Sequence, residues 1–531
     1  MISGINNANP EVTIKSYHWD RINLVVSGIV NHYYISELCL ILKHKNSKKE
    51  LYTETIPIQN NTFKIAINVM RADKLDPLGV GIYDIFADVY NTEGVIRCKV
   101  KNAIENITTN TKIFNYCRNR FIVYPQTEDG MSASIEIIHV INKKKNTINS
   151  SIMLKKIRKF LFKAVYEFCC LFSQRRNYVL FLSDSRSKLS GNLQFVYHRM
   201  VQRSLKVHYK FMFKSSINMY RDFFDKFKLA YYIAICKYIF IDDFYPMIYQ
   251  IRLREGTELV QLWHAVGAFK TFGYSRVGKT GGPSPFSRNH KNYTKAIVSS
   301  AEVIPYYAEG FGISKNNVVA TGIPRTDIFF NKDYKENIIC QIREQIPLIK
   351  DRKVITFAPT FRGKGAKTAY YDLDKIDLDK LYELCKGKYL FIFKMHPFVK
   401  MDKFIIPEAY KDTFIDLSEF REINDLLFVT DILITDYSST CFEFALLEKP
   451  MLFYAYDLEE YISKRDFYYN FEEFVPGKIC RDFDQLINAI KEEDYEFYKV
   501  KEFKNKFFEY TDGKSTDRVI DLVFSDKEVS S

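Results

Sequence analysis

DILITDYSSTCFEFALLEKPMLFYAYDL, residues 431–458, is the stretch from which the fold is read. Ile432, Leu433, Ile434 and Thr435 make a run of strand length, and Asp436 to Thr440 are polar but for Tyr437. Phe442, Phe444, Ala445, Leu446 and Leu447 then fall at helical spacing before Lys449 and Pro450 close the element. The order is strand, tight polar loop, helix, next strand. Ser438, Ser439 and Thr440 at the helix start offer hydroxyls and unpaired backbone N–H groups to an anion, and the helix dipole adds to the attraction. A diphosphate cradle fits that pattern. So does a serine that merely caps a buried helix.

The same alternation extends in both directions. Apolar runs of strand length stand at 353–357, 389–394, 413–416 and 451–454, and an earlier series at 178–182, 238–241, 258–262, 295–299 and 318–321. Strands alternating with helices predict doubly wound parallel sheets, so the chain is read as α/β with two Rossmann-like domains facing a cleft. The first half is assigned to 177–335. The second, with closing helices over 503–524 that hold DGKSTDRV, is assigned to 336–531.

Upstream, period-two runs at 22–27, 37–42, 62–69 and 82–90 are separated by Asn60, Asn61, Asp76, Pro77 and Gly79. They predict an N-terminal antiparallel β-sandwich or barrel over 1–142, with no charged or histidine cluster that suggests chemistry. A basic linker, 143–176, follows. Its segment IMLKKIRKFLFKAVYEFCCLF (152–172) reads as a helix with Leu154, Ile157, Leu161, Val165, Phe168 and Phe172 on one side and Lys155, Lys156, Lys159 and Lys163 opposite. Such a helix either packs its apolar stripe on the next domain or lies on an anionic membrane surface, where each lysine adds about 1 kcal/mol of attraction. Arg175 and Arg176 extend the basic face.

A chain of 531 residues suits about three domains. Its net charge of +13 fits a phosphate-rich substrate, a nucleic acid or an anionic membrane. Ten cysteines without any C-x-x-C pair indicate reduced, buried thiols and no zinc site. The N-terminus lacks a basic segment followed by an apolar run, so no secretory signal is expected. No window of ~18 uncharged apolar residues spans a bilayer.

Tandem Rossmann-like halves hold ligands beyond the carboxyl ends of their strands. After 258–262 come Trp263, His264, Ala265, Val266, Gly267, Ala268, Phe269 and Lys270; after 318–321 come Gly322 to Asp327 with Arg325 among them. After 353–357 stand Pro359, Thr360 and Arg362, and after 389–393 stand Lys394, Met395, His396 and Pro397. Histidines, arginines, lysines and several hydroxyls at five strand ends suit a nucleotide diphosphate. Individually each is weak: Arg325 can pair with Asp327, and a strand-end histidine is commonly structural. The absence of a P-loop or G-x-G-x-x-G argues against kinase and dehydrogenase readings.

The ordered set QLWHAVGAFKTFG, TGIPRTDIFF, ITFAPTFRG, FKMHP, ITDYSSTCFEFALLEKPMLFY, RDFYYNFEEFVPGKI and DGKSTDRV, covering about 178–521, resembles the CDP-glycerol glycerophosphotransferase family of teichoic acid polymerases and primases. The resemblance implies a GT-B-like fold and transfer of an alditol phosphate from CDP-ribitol or CDP-glycerol to an undecaprenyl-diphosphate-linked teichoic acid, with release of CMP, at the cytoplasmic face of the cell membrane. It implies a peripheral protein that binds no nucleic acid, and leaves open a homo-oligomer. No cofactor is implied with certainty, and the divalent metal requirement stays open. The family's WHG motif falls on Trp263, His264 and Ala265; its glycine is replaced here and reappears as Gly267. The resemblance makes His264 the base and His396 a second essential histidine. It makes Trp263, Gly267, Ala268, Arg325, Pro359, Thr360, Arg362, Lys394, Asp436, Ser438, Ser439 and Glu443 the CDP-alditol site, Glu443 standing where an Asp is common. The chain length and the N-terminal domain favour ribitol.

Two other readings stay open from the residues alone. One is a nucleotide-sugar glycosyltransferase or epimerase on the same fold, separable by which nucleotide is released. The other is a non-catalytic basic module for anionic polymers, which predicts salt-sensitive binding without turnover.

Overall fold

The computed structural model describes residues 10–31, 35–73, 76–92, 94–104, 107–117, 119–141, 150–215, 219, 221–363, 368–399, 406–420 and 422–524. Between Glu11–Asp20 and Ser132–Val140, twelve strands join in one hydrogen-bonded sheet. All pairs are antiparallel except Glu11–Asp20 with Lys101–Asn102. Alternation drives the packing: in Thr62–Asn68, Phe63, Ile65 and Ile67 are buried while Thr62, Lys64 and Ala66 face out. The inward residues close on one core with Val12, Leu24, Leu40 and Ile85, and Tyr274 and Val277 from the next domain plug into it.

The chain then builds two six-stranded parallel sheets. The first comprises β1 (Arg175–Ser183), β2 (His208–Phe213), β3 (Cys236–Ile241), β4 (Glu258–Gln261), β5 (Lys295–Val298) and β6 (Val318–Ala320), in the order β2-β1-β3-β4-β5-β6. The second comprises β7 (Lys353–Phe357), β8 (Tyr389–Phe393), β9 (Phe414–Asp416), β10 (Ile432–Thr435), β11 (Met451–Tyr454) and β12 (Lys478–Cys480), in the order β9-β8-β7-β10-β11-β12. The central strands are apolar because helices cover both faces. Strand order reverses between β1 and β3 and between β7 and β10, which opens a crevice at their carboxyl ends. There Ala358 N–H donates to Ile434 O at 2.9 Å and Thr435 Oγ1 donates to Ala358 O at 2.7 Å, so the loops after β7 and β10 leave side by side.

Three boundaries differ from those read in the sequence. β1 begins at Arg175, inside the linker assigned to 143–176, and helix Lys332–Gln345 crosses the 335/336 division. The last helix, Ser515–Val523, returns to the first sheet: the Phe524 ring lies 4.3 Å from that of Tyr238, and Arg199 Nε pairs with Asp517 at 2.8 Å. The linker helix α1 (Ser150–Cys169) does form, but its buried side is Phe162, Tyr166 and Cys169, packed beside α2 (Phe223–Ile235). Ile157, Leu161, Phe168 and Phe172, of the stripe read as either packing on the next domain or lying on an anionic membrane surface, are exposed; residues 142–149 and the side chain of Leu154 lie outside the described residues. Among the described residues no helix is long and apolar enough to cross a membrane.

Candidate active site

β4 delivers the first histidine. Beyond it Trp263 takes a left-handed backbone, φ 53°, unusual for a bulky residue and held only by surrounding bonds. Trp263 N–H donates to Gln261 Oε1 at 2.8 Å, and buried Asn192 donates from Nδ2 to Trp263 O at 2.8 Å. The turn leaves His264 half exposed, its Nδ1 3.4 Å from Asp243 Oδ1. Burial pushes the Asp243 carboxyl up, but the hydrogen bond and charge of His264 and the N–H of Phe244 outweigh it and leave the carboxyl below its ordinary range. Gln261 Nε2 also donates to Asp243 O at 3.1 Å, so one side chain fixes both strand ends.

The loop continues across to the second domain. Gly267 fits because a Cβ there would stand 1.9 Å from the Phe442 ring. Ala268 is buried, and Phe269 stacks on Phe467, whose ring is 4.9 Å away. Thr271 N–H donates to Asp466 O at 2.8 Å and Tyr468 N–H donates to Phe269 O at 3.0 Å, a short antiparallel crossing that holds Lys270 between the domains. Lys270 lies over the Tyr461 ring at 5.3 Å. Burial lowers its pKa to about 8; Asp436 opposes the shift, while Arg465 and Arg362 add to it.

β8 delivers the second histidine. His396 Nδ1 accepts from Phe398 N–H at 3.1 Å, which places the proton of the neutral ring on Nε2. Its ring is flanked by Phe361 at 4.7 Å and Phe398 at 4.8 Å. Burial and then the charges of Lys270 and Lys394 lower its pKa to about 4, so His396 is a neutral donor at physiological pH. Lys394, buried, donates from Nζ to Ser418 O at 3.0 Å, and burial lowers its pKa. Lys270, on the loop that starts at His264, therefore comes close enough for its charge to act on His396.

Arg362 and Asp436 form the floor. Asp436 Oδ1 accepts from Thr360 N–H at 2.7 Å and Oδ2 from Arg362 at 2.8 Å, while Arg362 Nε and Nη2 donate to Asp457 at 2.6 and 2.9 Å. Both members are buried, with Pro359 beside them. Expected as donor ligands, Arg362 and Asp436 instead spend their bonding capacity within the protein and shape the loops after β7 and β10. Ser438 Oγ lies 3.0 Å from Thr440 Oγ1, and Ser439 occupies the cap position of α3 (Thr440–Ala445) without a side-chain cap bond, so the simple capping role does not account for it. With only 6 residues α3 has a weak dipole, so its end alone makes no anion site.

Glu443 of α3 ion-pairs with Arg325 from the first domain. Asp327, the partner considered for Arg325, accepts instead from Ser515 N–H at 2.9 Å and Thr516 N–H at 2.8 Å, capping the last helix. Arg325 Nε and Glu443 Oε2 are buried without a partner among the described residues. Lys270 and Lys394 thus act on His396, and Arg325 of the first domain meets Glu443 of the second. Asp243 and Asp457 escaped the sequence reading, although Asp243 follows β3 as His264 follows β4; Lys270 was read at a strand end without a role. Among the described residues no three His, Cys, Asp or Glu converge as a metal-ligand set.

Residues 164–525 match the family model of CDP-Glycerol:Poly(glycerophosphate) glycerophosphotransferase. A teichoic acid poly(ribitol-phosphate) polymerase of Bacillus spizizenii is 50% identical over 376 residues, 71% of this chain and 61% of the relative's length. The ribitol-phosphate polymerase TarL of Staphylococcus aureus is 38% identical across 97% of this chain and 99% of its own. The solved wall teichoic acid polymerase TagF superposes with a TM-score of 0.58 at 22% identity, covering 72% of this chain and 100% of TagF.

Proposed function

Because the chain belongs to the CDP-glycerol:poly(glycerophosphate) glycerophosphotransferase family, we propose that it transfers ribitol phosphate from CDP-ribitol to the hydroxyl end of a lipid-linked teichoic acid. Both sequence relatives described above carry ribitol phosphate in their names, which favours that donor over CDP-glycerol. The full-length match to TarL favours chain extension over priming.

The observation that carries the reading is the His264–Asp243 pair at the end of β4, on the loop that carries Lys270 toward Lys394 and neutral His396. Asp243 holds Nδ1–H of His264 and leaves Nε2 free to accept the acceptor hydroxyl proton. The hydroxyl oxygen bonds to the alditol-bearing phosphorus as the bond from that phosphorus to CMP breaks. Lys270, Lys394 and Arg325 meet the charge of the diphosphate, His396 donates from Nε2 to it, and the Ser438–Thr440 loop seats it. Arg362, Asp436, Thr360 and Pro359 shape that seat, and Gly267 and Ala268 hold the loop against α3.

The chain acts on the cytoplasmic membrane face as a peripheral protein. Supporting this, α1 and α2 leave apolar side chains in solvent, Phe160 at 71% and Phe224 at 81% exposed, beside Lys156, Arg158, Lys159 and Lys163. The N-terminal sheet, wrapped over its own core in the manner of a sandwich, is a docking unit for the polymer or a second copy. Purified protein supplied with CDP-ribitol, CDP-glycerol and UDP-sugars in turn tests the donor: CMP release is expected fastest with CDP-ribitol, and release of UDP alone would overturn the assignment.

A further inference from the structure

The loop that starts at His264 does not end at the donor site. It runs through Lys270 to Arg276 and Lys279, and it plugs Tyr274 and Val277 into the N-terminal core. Gly278 comes against the backbone of that domain: a Cβ on it would stand 3.6 Å from Phe114 Cα. Phe114 belongs to strand Lys112–Tyr116, so its first residue brings a lysine to the same place, and Arg465 arrives from the crossing segment beside Asp466. Lys112 and the whole N-terminal sheet lie outside residues 164–525 that match the family.

These cations are gathered with little compensation. Lys279 pairs with Asp466. Arg276 spends one N–H on Thr280 O at 2.8 Å, and among the described residues neither it nor Lys112 or Arg465 has a carboxylate in ion-pair range. Burial lowers the Arg276 pKa and Arg465 adds to it; burial, then Arg276, Lys112 and Arg21, lower that of Lys279. Like charges held this close repel unless an anion lies among them.

Resting on the transferase reading, we propose that Lys112, Arg276, Lys279 and Arg465 seat the phosphates of the growing poly(alditol phosphate) acceptor and lead its terminal hydroxyl along the loop to His264. A flexible polyanion with a charge on every repeat suits a line of cations better than one small ligand does. The N-terminal sheet is then part of the acceptor site.

The test is binding of poly(ribitol phosphate) oligomers to the full-length protein across a salt series, alongside steady-state kinetics. Lys112→Glu is expected to weaken oligomer binding about tenfold or more and to lower the log–log salt slope by about 1. It raises KM for the acceptor while KM for CDP-ribitol and CMP release without acceptor stay unchanged, and Lys112→Arg restores binding. Arg276→Gln, made in parallel, gives the same pattern. Wild-type affinity and salt slope in folded Lys112→Glu and Arg276→Gln would overturn the proposal, as would equally tight binding of a random RNA of the same charge. If the wild type transferred from no CDP-alditol yet its oligomer affinity still depended on Lys112, the transferase reading would fall and the polyanion seat would stand.

Discussion

At the scale of single residues, the roles separate by what each side chain is already bonded to. His264 has one nitrogen toward Asp243 and one without a partner among the described residues, so His264→Ala is expected to lower kcat at least about 10²-fold with the fold intact by circular dichroism. Asp243→Asn, which spoils the orientation of the ring, lowers it by at least about tenfold. Lys270 supplies a pH signature. With a pKa of about 8 it is charged below that pH and neutral above, so activity falls as pH rises through 8. Lys270→Arg moves this alkaline limb upward in a pH–rate profile. His396 titrates in the other direction: its folded pKa of about 4 lies below the usual ~6.5. Between those values the unfolded chain takes a proton that the folded one refuses, so its contribution to stability is complete above 6.5 and is lost as pH falls toward 4. Asp243 escaped the sequence reading because an acidic residue after a strand is common; only its 3.4 Å approach to His264 distinguishes it. Arg362 and Asp436 looked like ligands because their partners, Asp457 and the Thr360 backbone, are set by folding rather than by spacing.

At the scale of elements, the close approach of the loop after β4 to α3 depends on a missing side chain. Gly267→Ala drives a methyl into the Phe442 ring, and overpacking of this kind costs about 1–3 kcal/mol, read as a lowered melting temperature together with a loss of activity. The apolar faces of α1 and α2 make a second prediction. Phe160→Ser and Phe224→Ser together reduce retention on anionic vesicles by about tenfold or more, with turnover on a short soluble acceptor unchanged. Central strands such as Lys353–Phe357 and Ile432–Thr435 were legible residue for residue, because burial on both faces writes an unbroken apolar run. The edge strands His208–Phe213 and Lys478–Cys480 were not: one is half solvated and the other is 3 residues long. The helix at 152–172 was legible as a helix, while its spacing left open whether the apolar stripe packs or lies on a membrane surface. The apolar stripe of highest regularity is the exposed one, and Phe162 and Tyr166 occupy the core.

At the scale of the whole molecule, two sheets and the order of their ligand-bearing ends followed from sequence, while the way the halves are tied did not. Asp327 holds the start of Ser515–Val523, and the Arg325–Glu443 pair spans the crevice. Asp327→Ala removes the acceptor for two backbone N–H groups and one hydroxyl, and is expected to lower stability by about 1–2 kcal/mol in chemical denaturation. The return of the last helix has a mechanical result. The backbone passes from one half to the other at Lys332–Gln345 and comes back before Ser515–Val523, so the halves hang on two tethers rather than one. A body joined at two points can rotate only about the line through them. Sliding of one half past the other would in addition break the hydrogen bonds of Thr271 N–H to Asp466 O and of Tyr468 N–H to Phe269 O.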